Sequence, residues 1–248
     1  MDTGSNLEAT QSGFTGVIQN PLNIKLSRSV SNFDVRHLLN ANWLIGLPFG
    51  RDKRFFHEAP KAVNAIIGGW QLTGIFRYSS GLPGPNPFNS GLWPTNWQIS
   101  SGAVRIRPVE TDNVSSVLAT NGNRYPNVFS DPLAAFRSYR NGRAGEAGDR
   151  NVLRFPSYVS LDAGLSKTFN LPYAEKHKLQ FRWEVFNVTN TQRFGPSAGV
   201  TNVSAIGIAQ DPEINSPPAD FGRYVGSQTP TGESRPGRVM QFALRYSF

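Results

Sequence analysis

Cysteine is absent from all 248 residues, which removes disulfide frameworks, zinc knuckles and thiol nucleophiles together. Charge is sparse as well. Asp, Glu, Lys and Arg make up 17% of the chain, against about 25% in an ordinary soluble domain. No apolar run reaches the length of about 18 residues that a membrane-spanning helix needs. The opening residues lack the basic-then-apolar layout of a secretory signal peptide, so an exported chain would need its signal outside this sequence. His37, His57 and His177 lie far apart, and none has a second histidine or carboxylate at metal-ligand spacing. No metal, cofactor or catalytic site is expected.

What is abundant points away from helices. There are 24 glycines, 18 prolines and 12% aromatic residues. The net charge of +8 could suit nucleic acid, but the cations are single residues scattered through polar positions and loops, with no dense stripe. No nucleic-acid partner is expected. A surface facing anionic lipopolysaccharide tolerates the same excess.

The primary signal is a period of two. In the last ten residues Met240, Phe242, Leu244, Tyr246 and Phe248 alternate with Gln241, Ala243, Arg245 and Ser247, so the two sets face opposite sides of a strand. About ten residues is also what a tilted strand needs to cross a bilayer. Four earlier segments share the pattern: residues 33–47, 69–79, 158–169 and 178–188. Apolar-out, polar-in alternation between turn-rich stretches is the mark of a transmembrane barrel. The expected polar, lumen-facing set is Arg36, Asn40, Asn42, Gln71, Thr73, Arg77, Asp162, Gln180, Arg182, Glu184, Gln241 and Arg245. Ile75 breaks the pattern on its strand. Lys167 falls on an apolar face near a strand end, where it is expected to snorkel to the interface.

Connection lengths alternate too. The third and fourth strands are joined by a short turn around Asn170–His177, and the first and second by about 20 residues. The other two connections, 81–155 and 191–235, are long and rich in Gly, Pro, Asn and Ser. Barrels of this kind pair short periplasmic turns with long extracellular loops. Within the first loop, Asp131–Tyr139 predicts a short helix with Asp131 as N-cap and Pro132 at the first helical position. The expected fold class is all-β: a partial, transmembrane antiparallel barrel, with residues 1–248 forming part of one barrel domain. Five strands cannot close around a channel, and an unpaired edge in lipid leaves backbone groups unsatisfied at several kcal/mol each. The missing strands are expected elsewhere.

Specific stretches resemble one family. Ser31-Asn32-Phe33-Asp34-Val35-Arg36-His37 with Ala41-Asn42-Trp43 and Leu47-Pro48-Phe49-Gly50 is similar to a characteristic strand and turn of TonB-dependent outer-membrane receptors. The likeness is to the Oar-like group, whose N-terminus carries a carboxypeptidase-regulatory-like domain. Gly68-Gly69-Trp70-Gln71-Leu72-Thr73-Gly74-Ile75-Phe76 with Ser80-Gly81-Leu82-Pro83 resembles the next strand and its exit. Gly148–Pro156, Leu161-Asp162 and Leu179–Asn187 complete the set. The resemblance implies the last quarter of a barrel of about 22 strands, taking up a bulky ligand across the bacterial outer membrane without being an enzyme. It implies as partners the rest of the barrel, a plug domain, outer-membrane lipids, and the TonB complex through an N-terminal part not present here.

The remaining candidates have plainer readings. Asp34 beside Arg36 and His37 reads as an ion pair at a strand start. Arg182, Glu184 and Asp162 read as a charge ladder on a polar wall. Trp43, Trp70, Tyr78, Tyr158, Trp183 and Tyr246 suit interfacial girdles. Trp93 and Trp97, with Asn89, Asn96 and Gln98 nearby, are the candidate loop contacts for a ligand. Gly142, Gly145 and Gly148 lack the preceding strand and following Lys-Ser/Thr of a phosphate loop. The alternative to a barrel is a secreted or surface-attached β-rich binding module, for glycans or adhesion, with its aromatic faces buried between two sheets. Such a module should be soluble without detergent.

Overall fold

The computed structural model describes residues 22–85, 88–89, 101–111, 113–118, 122–140, 143, 145–146, 148–171, 177–195, 216–227 and 237–248. The chain divides into two compact units. One comprises Leu38–Tyr78, Val159–Gln192 and Pro230–Phe248; the other comprises Met1–His37, Ser79–Tyr158 and Arg193–Thr229.

The first unit is a sheet of five strands: β1 (Leu38–Gly46), β2 (Trp70–Ser79), β3 (Tyr158–Asn170), β4 (Lys178–Phe186) and β5 (Val239–Ser247). They lie side by side in chain order, with β1 and β5 at the edges. β4 pairs antiparallel with β3 (Glu184 opposite Gly164) and with β5 (Glu184 opposite Gln241). Because directly opposed residues share a face, this register stacks Leu165, Trp183 and Phe242 on one side and Ser166, Arg182 and Ala243 on the other. β1 and β2 are closed by Leu47 N–H donating to Trp70 C=O at 2.8 Å. Gly74 on β2 lies under the Trp43 indole, where any Cβ would collide. A larger residue there would force the Trp43 indole to move.

Two strand ends differ from the expected 33–47 and 178–188. β1 starts at Leu38, because Asp34 closes a turn onto Ser31 C=O at 3.0 Å and gives its carboxylate to Arg154. Arg36 therefore precedes the strand. Its backbone N–H donates to Ser80 Oγ at 2.9 Å. β4 stops at Phe186, because Asn187 turns into the left-handed region (φ 54°) and its N–H is taken by Asp162 Oδ1 at 2.8 Å. The β3–β4 turn is closed by Leu171 N–H to His177 C=O at 3.0 Å.

Lys167 corrects another expectation. It does not snorkel: it is buried, donating to the carbonyls of Ala65 (2.6 Å) and Ile66 (3.1 Å) at the end of a short helix, α1 (Lys61–Ile67). Its ammonium also sits over the Phe169 and Trp70 rings, at 4.9 and 5.5 Å. An ammonium off the water is tolerable when its donors meet carbonyls and ring faces.

The second unit has its own core. Phe129, Phe136, Tyr139, Phe155, Phe221 and Tyr224 are buried together with Ala103, Val128, Ala135 and Leu153. Phe221 stacks on Phe129 (5.2 Å, 11°) and meets Phe136 edge-on (5.4 Å, 82°). Helix α2 (Pro132–Phe136) supplies Phe136, and Asp131 Oδ1 caps it by accepting from Ala134 N–H at 3.0 Å. It is shorter than the expected 131–139 segment, since the chain passes directly into the paired segment Tyr139–Arg140. Asn127 is buried and satisfied at both ends of its amide: Nδ2 donates to Phe221 C=O (2.8 Å) and Oδ1 accepts from Phe129 N–H (2.7 Å). That amide ties a strand of the first long connection to a turn of the second.

Candidate functional site

On the sheet, one face gathers most of the polar residues expected to act together. Arg245, Gln180 and Thr168 are in line across three strands, as are Gln241, Glu184 and Gly164. Glu184 is the centre of this row. Its carboxylate accepts from the Arg182 guanidinium on one oxygen and from the Gln241 amide on the other. Gly164 leaves the space beside it: a Cβ there would lie 2.6 Å from Thr73 Oγ1 and 3.6 Å from Glu184 Cγ. Thr73 donates to Gly164 C=O at 3.2 Å, so it borders the same row. Gln71 and Arg77 alternate with it on β2 and share its face. Asn40 and Asn42 face away from the Gly74–Trp43 contact, hence toward the same side, though Leu44 and Ile75 interrupt the polarity.

Two expected members do other work. Arg36 is outside the strand, and Asp162, although on β3, holds the Asn187 N–H that ends β4. The ladder is therefore Arg182–Glu184–Gln241 without Asp162. Its remaining charges, with Arg77, Lys178 and Arg245, leave this wall net cationic.

The other face is apolar and aromatic. Trp183 stacks on Phe242 (6.0 Å, 4°), Phe181 meets Trp70 edge-on (6.1 Å, 87°), and Tyr246 lies beside His177 and Phe248. A hollow of about 310 Å³ is lined by Leu72, Ala163, Leu165, Trp183, Met240 and Arg238, among others. Trp70 and Tyr246 fall at the strand ends served by the short connections; Trp43 and Trp183 are mid-strand and belong to no girdle. One polar wall and one apolar wall are the features of a sheet that spans with strands; separately, no helix among the described residues is long and apolar enough to cross a membrane.

The family model of an outer membrane beta barrel domain matches residues 1–241. The chain belongs to that family. The barrel domain is accordingly a protein of the bacterial outer membrane, from a family that is typically non-enzymatic. No curated protein and no solved structure matches it.

In the barrel domain's second unit, Asp34 pairs not with Arg36 or His37 beside it in sequence but with the distant Arg154. Arg154 Nη1 donates to the carbonyls of Asp34 (3.1 Å) and Gly81 (3.0 Å), while Nη2 pairs with the Asp34 carboxylate. Asn151, in the left-handed region at φ 58°, donates to Val30 C=O (2.7 Å) and to Asn32 Oδ1. Asp149 Oδ2 accepts from Arg105 N–H at 2.7 Å. Tyr139 and Tyr224 bury hydroxyls that have no partner among the described residues, and burial pushes both phenols well above their ordinary range. Trp93 and Trp97 lie outside the described residues, as do Asn96 and Gln98. Among the described residues no group of three or more His, Asp or Glu could hold a metal.

One ion pair in this unit gives a pH prediction. Glu146 accepts both arms of the Arg140 fork (2.7 and 2.8 Å) and the Arg143 N–H (2.7 Å). The Arg140 hydrogen bonds are the chief cause that holds its carboxyl at about 2, below the ordinary 4.5. A carboxyl whose pKa is lower in the folded state stabilises it above the unfolded value, and that contribution is lost as pH falls through the folded value. Amide protection around Arg140 and Arg143 should thus be greater at neutral pH and fall between about pH 4.5 and 2. Hydrogen exchange on wild type and Glu146→Gln checks it: the variant should be weakly protected throughout, with no step in that window.

Proposed function

We propose that this domain is the C-terminal portion of the barrel of a TonB-dependent receptor of the Oar-like group, and that the intact receptor imports a bulky ligand across the outer membrane. In this reading the polar wall of β1–β5 lines the path around a plug, with Asn40, Asn42, Gln71, Thr73, Arg77, Gln180, Arg182, Glu184, Gln241 and Arg245 facing it. The long connections make first contact with the ligand, Trp93 and Trp97 among them. The remainder of a barrel of about 22 strands, the plug and the segment that reaches TonB belong to the rest of the receptor.

The observation that supports the reading best is the division of labour along the chain. Short connections serve one end of the sheet, and the described parts of the two long ones pack around ten buried apolar residues. Ordered extracellular loops of that size suit capture of a large ligand, since loops on a rigid scaffold are where binding residues concentrate. The cationic balance of the polar wall favours a ligand carrying anionic groups.

Translating the DNA upstream of the Met1 codon tests the proposal. An uninterrupted frame encoding a plug and further alternating strands is the expected result. A start site with its own promoter and no such frame would sink the receptor reading while leaving the outer-membrane barrel intact.

A further inference from the structure

We propose that the β1–β2 connection, residues 47–69, is a membrane-interface anchor: it lies against the lipid side of the barrel wall and binds the anionic headgroups of phospholipids. This rests on the barrel topology, in which short connections are periplasmic and so meet the phospholipid leaflet, and not on the transport reading.

The placement comes first. Trp70 Nε1 donates to Ile66 C=O at 2.8 Å, and Lys167 Nζ donates to the carbonyls of Ala65 and Ile66. Both donors belong to the apolar face: Trp70 packs on Phe181, and Lys167 is directly opposite Phe181 in the β3–β4 ladder. Helix α1 is therefore drawn to the apolar side of the wall. A buried ammonium that satisfies a helix end there is a built attachment.

The connection is cross-linked by its own hydrogen bonds, and its apolar groups are exposed. Gly50 N–H donates to Phe55 C=O and Phe55 N–H to Pro48 C=O, both at 3.0 Å; Asn64 Oδ1 accepts from Arg51 N–H at 2.6 Å. Gly50 has φ +115°, and a Cβ there would meet Asn64 Oδ1 and Gly68 Cα at 2.6 and 2.7 Å. Phe56 has φ 61°, a conformation that a bulky residue adopts only at a cost. The exposed result is Phe55 at 46%, Phe56 at 63%, Val63 at 43% and Ile66 at 71%. In water these residues have no reason to be held outward; in a headgroup layer they do.

Charge completes the case. Arg51, Lys53, Arg54 and Lys61 are exposed around the same apolar residues, against two carboxylates, Asp52 and Glu58. Cations flanking exposed aromatics match an anionic interface, whereas a patch meant for a second protein copy would place this excess against itself.

These 248 residues hold no cysteine, so a single label can be placed in them once any cysteine elsewhere in the protein is replaced. In the complete barrel protein, single cysteines replacing Phe56, Ile66, Leu244 or Ser116 would carry an environment-sensitive fluorophore. The protein is reconstituted in phosphatidylethanolamine–phosphatidylglycerol vesicles containing a lipid with a nitroxide near its headgroup. Quenching at 56 and 66 should match or exceed that at the lipid-facing position 244, with none at 116. If 56 and 66 behave like 116 while 244 is quenched, the anchor does not exist; if 244 is also unquenched, the barrel placement itself fails and the anchor with it. The combined variant R51Q/K53Q/R54Q/K61Q, or replacement of phosphatidylglycerol by phosphatidylcholine, should lower quenching at 56 by about twofold or more. Unchanged quenching in both would overturn the anionic-headgroup assignment.

Discussion

Phe221→Ala is expected to dissolve the loop unit while leaving the sheet intact. Phe221 is fully buried, stacked on Phe129 and edge-on to Phe136, and its carbonyl is the acceptor for the Asn127 amide. Truncating a buried phenylalanine costs about 3–5 kcal/mol, partly lost transfer energy and partly the cavity left behind. A unit assembled from connections has little stability in reserve, so a loss of that size should populate the open form. Protease added to intact cells should then cut between residues 122 and 140, where wild type is expected to resist. Heat-modifiable electrophoretic mobility, which reports the strands, should not change. Equal loss of both signals would mean that the two units do not fold separately. If the loops make first contact with the ligand, capture fails in the same variant with the barrel still in place.

This prediction depends on a part of the molecule that local sequence patterns do not encode. The sheet is legible because strand periodicity is local: Trp183, Phe181 and Leu179 declare their face within one segment, and a one-residue slip would expose them all to the wrong side. Loop collapse has no such period. Asn127 and Phe221 are 94 positions apart, and Asp34 and Arg154 are 120 apart; no window of sequence contains both partners. A signal was nevertheless present in the aromatic content of residues 125–155, too apolar for solvated coil. The ends of β1 and β4 were misjudged for the same reason. Alternation continues through Val35 and Val188, but a distant arginine and a neighbouring strand's aspartate redirect the backbone. Lys167 is a further case: burial of its ammonium depends on helix α1, whose apolar residues Ala62, Val63, Ala65, Ile66 and Ile67 are too few and too short a run to declare themselves within the connection.

The candidate site was legible to the extent that it is periodic. Glu184, Arg182 and Gln241 could be assigned to one face from alternation alone, but their bonding to one another required the register. Asp162 shares their alternation, and only the register and the Asn187 turn remove it from the ladder. Trp93 and Trp97 were chosen on residue type in a loop, a criterion with no geometric content.

The register makes neighbouring positions on β5 chemically opposite, and this gives the second large effect. Phe242→Arg is expected to block assembly into the outer membrane, whereas Gln241→Arg should be accepted. Phe242 is 67% exposed on the apolar face, mid-strand, stacked on Trp183. An arginine facing lipid near the membrane midplane costs about 2–4 kcal/mol in barrels, and the stacking contact is lost as well. Gln241 is its neighbour in sequence but lies on the other face beside Glu184. An arginine there replaces an amide donor with a charged one for the same carboxylate, a change that a hydrated wall absorbs. The measurement is the fraction of each variant that reaches the heat-modifiable folded form in outer-membrane fractions. A strong defect for Phe242→Arg with near-normal Gln241→Arg is expected. The reverse order would mean that the two faces are assigned the wrong way round, and equal defects would mean that β5 does not lie between lipid and a polar interior at all.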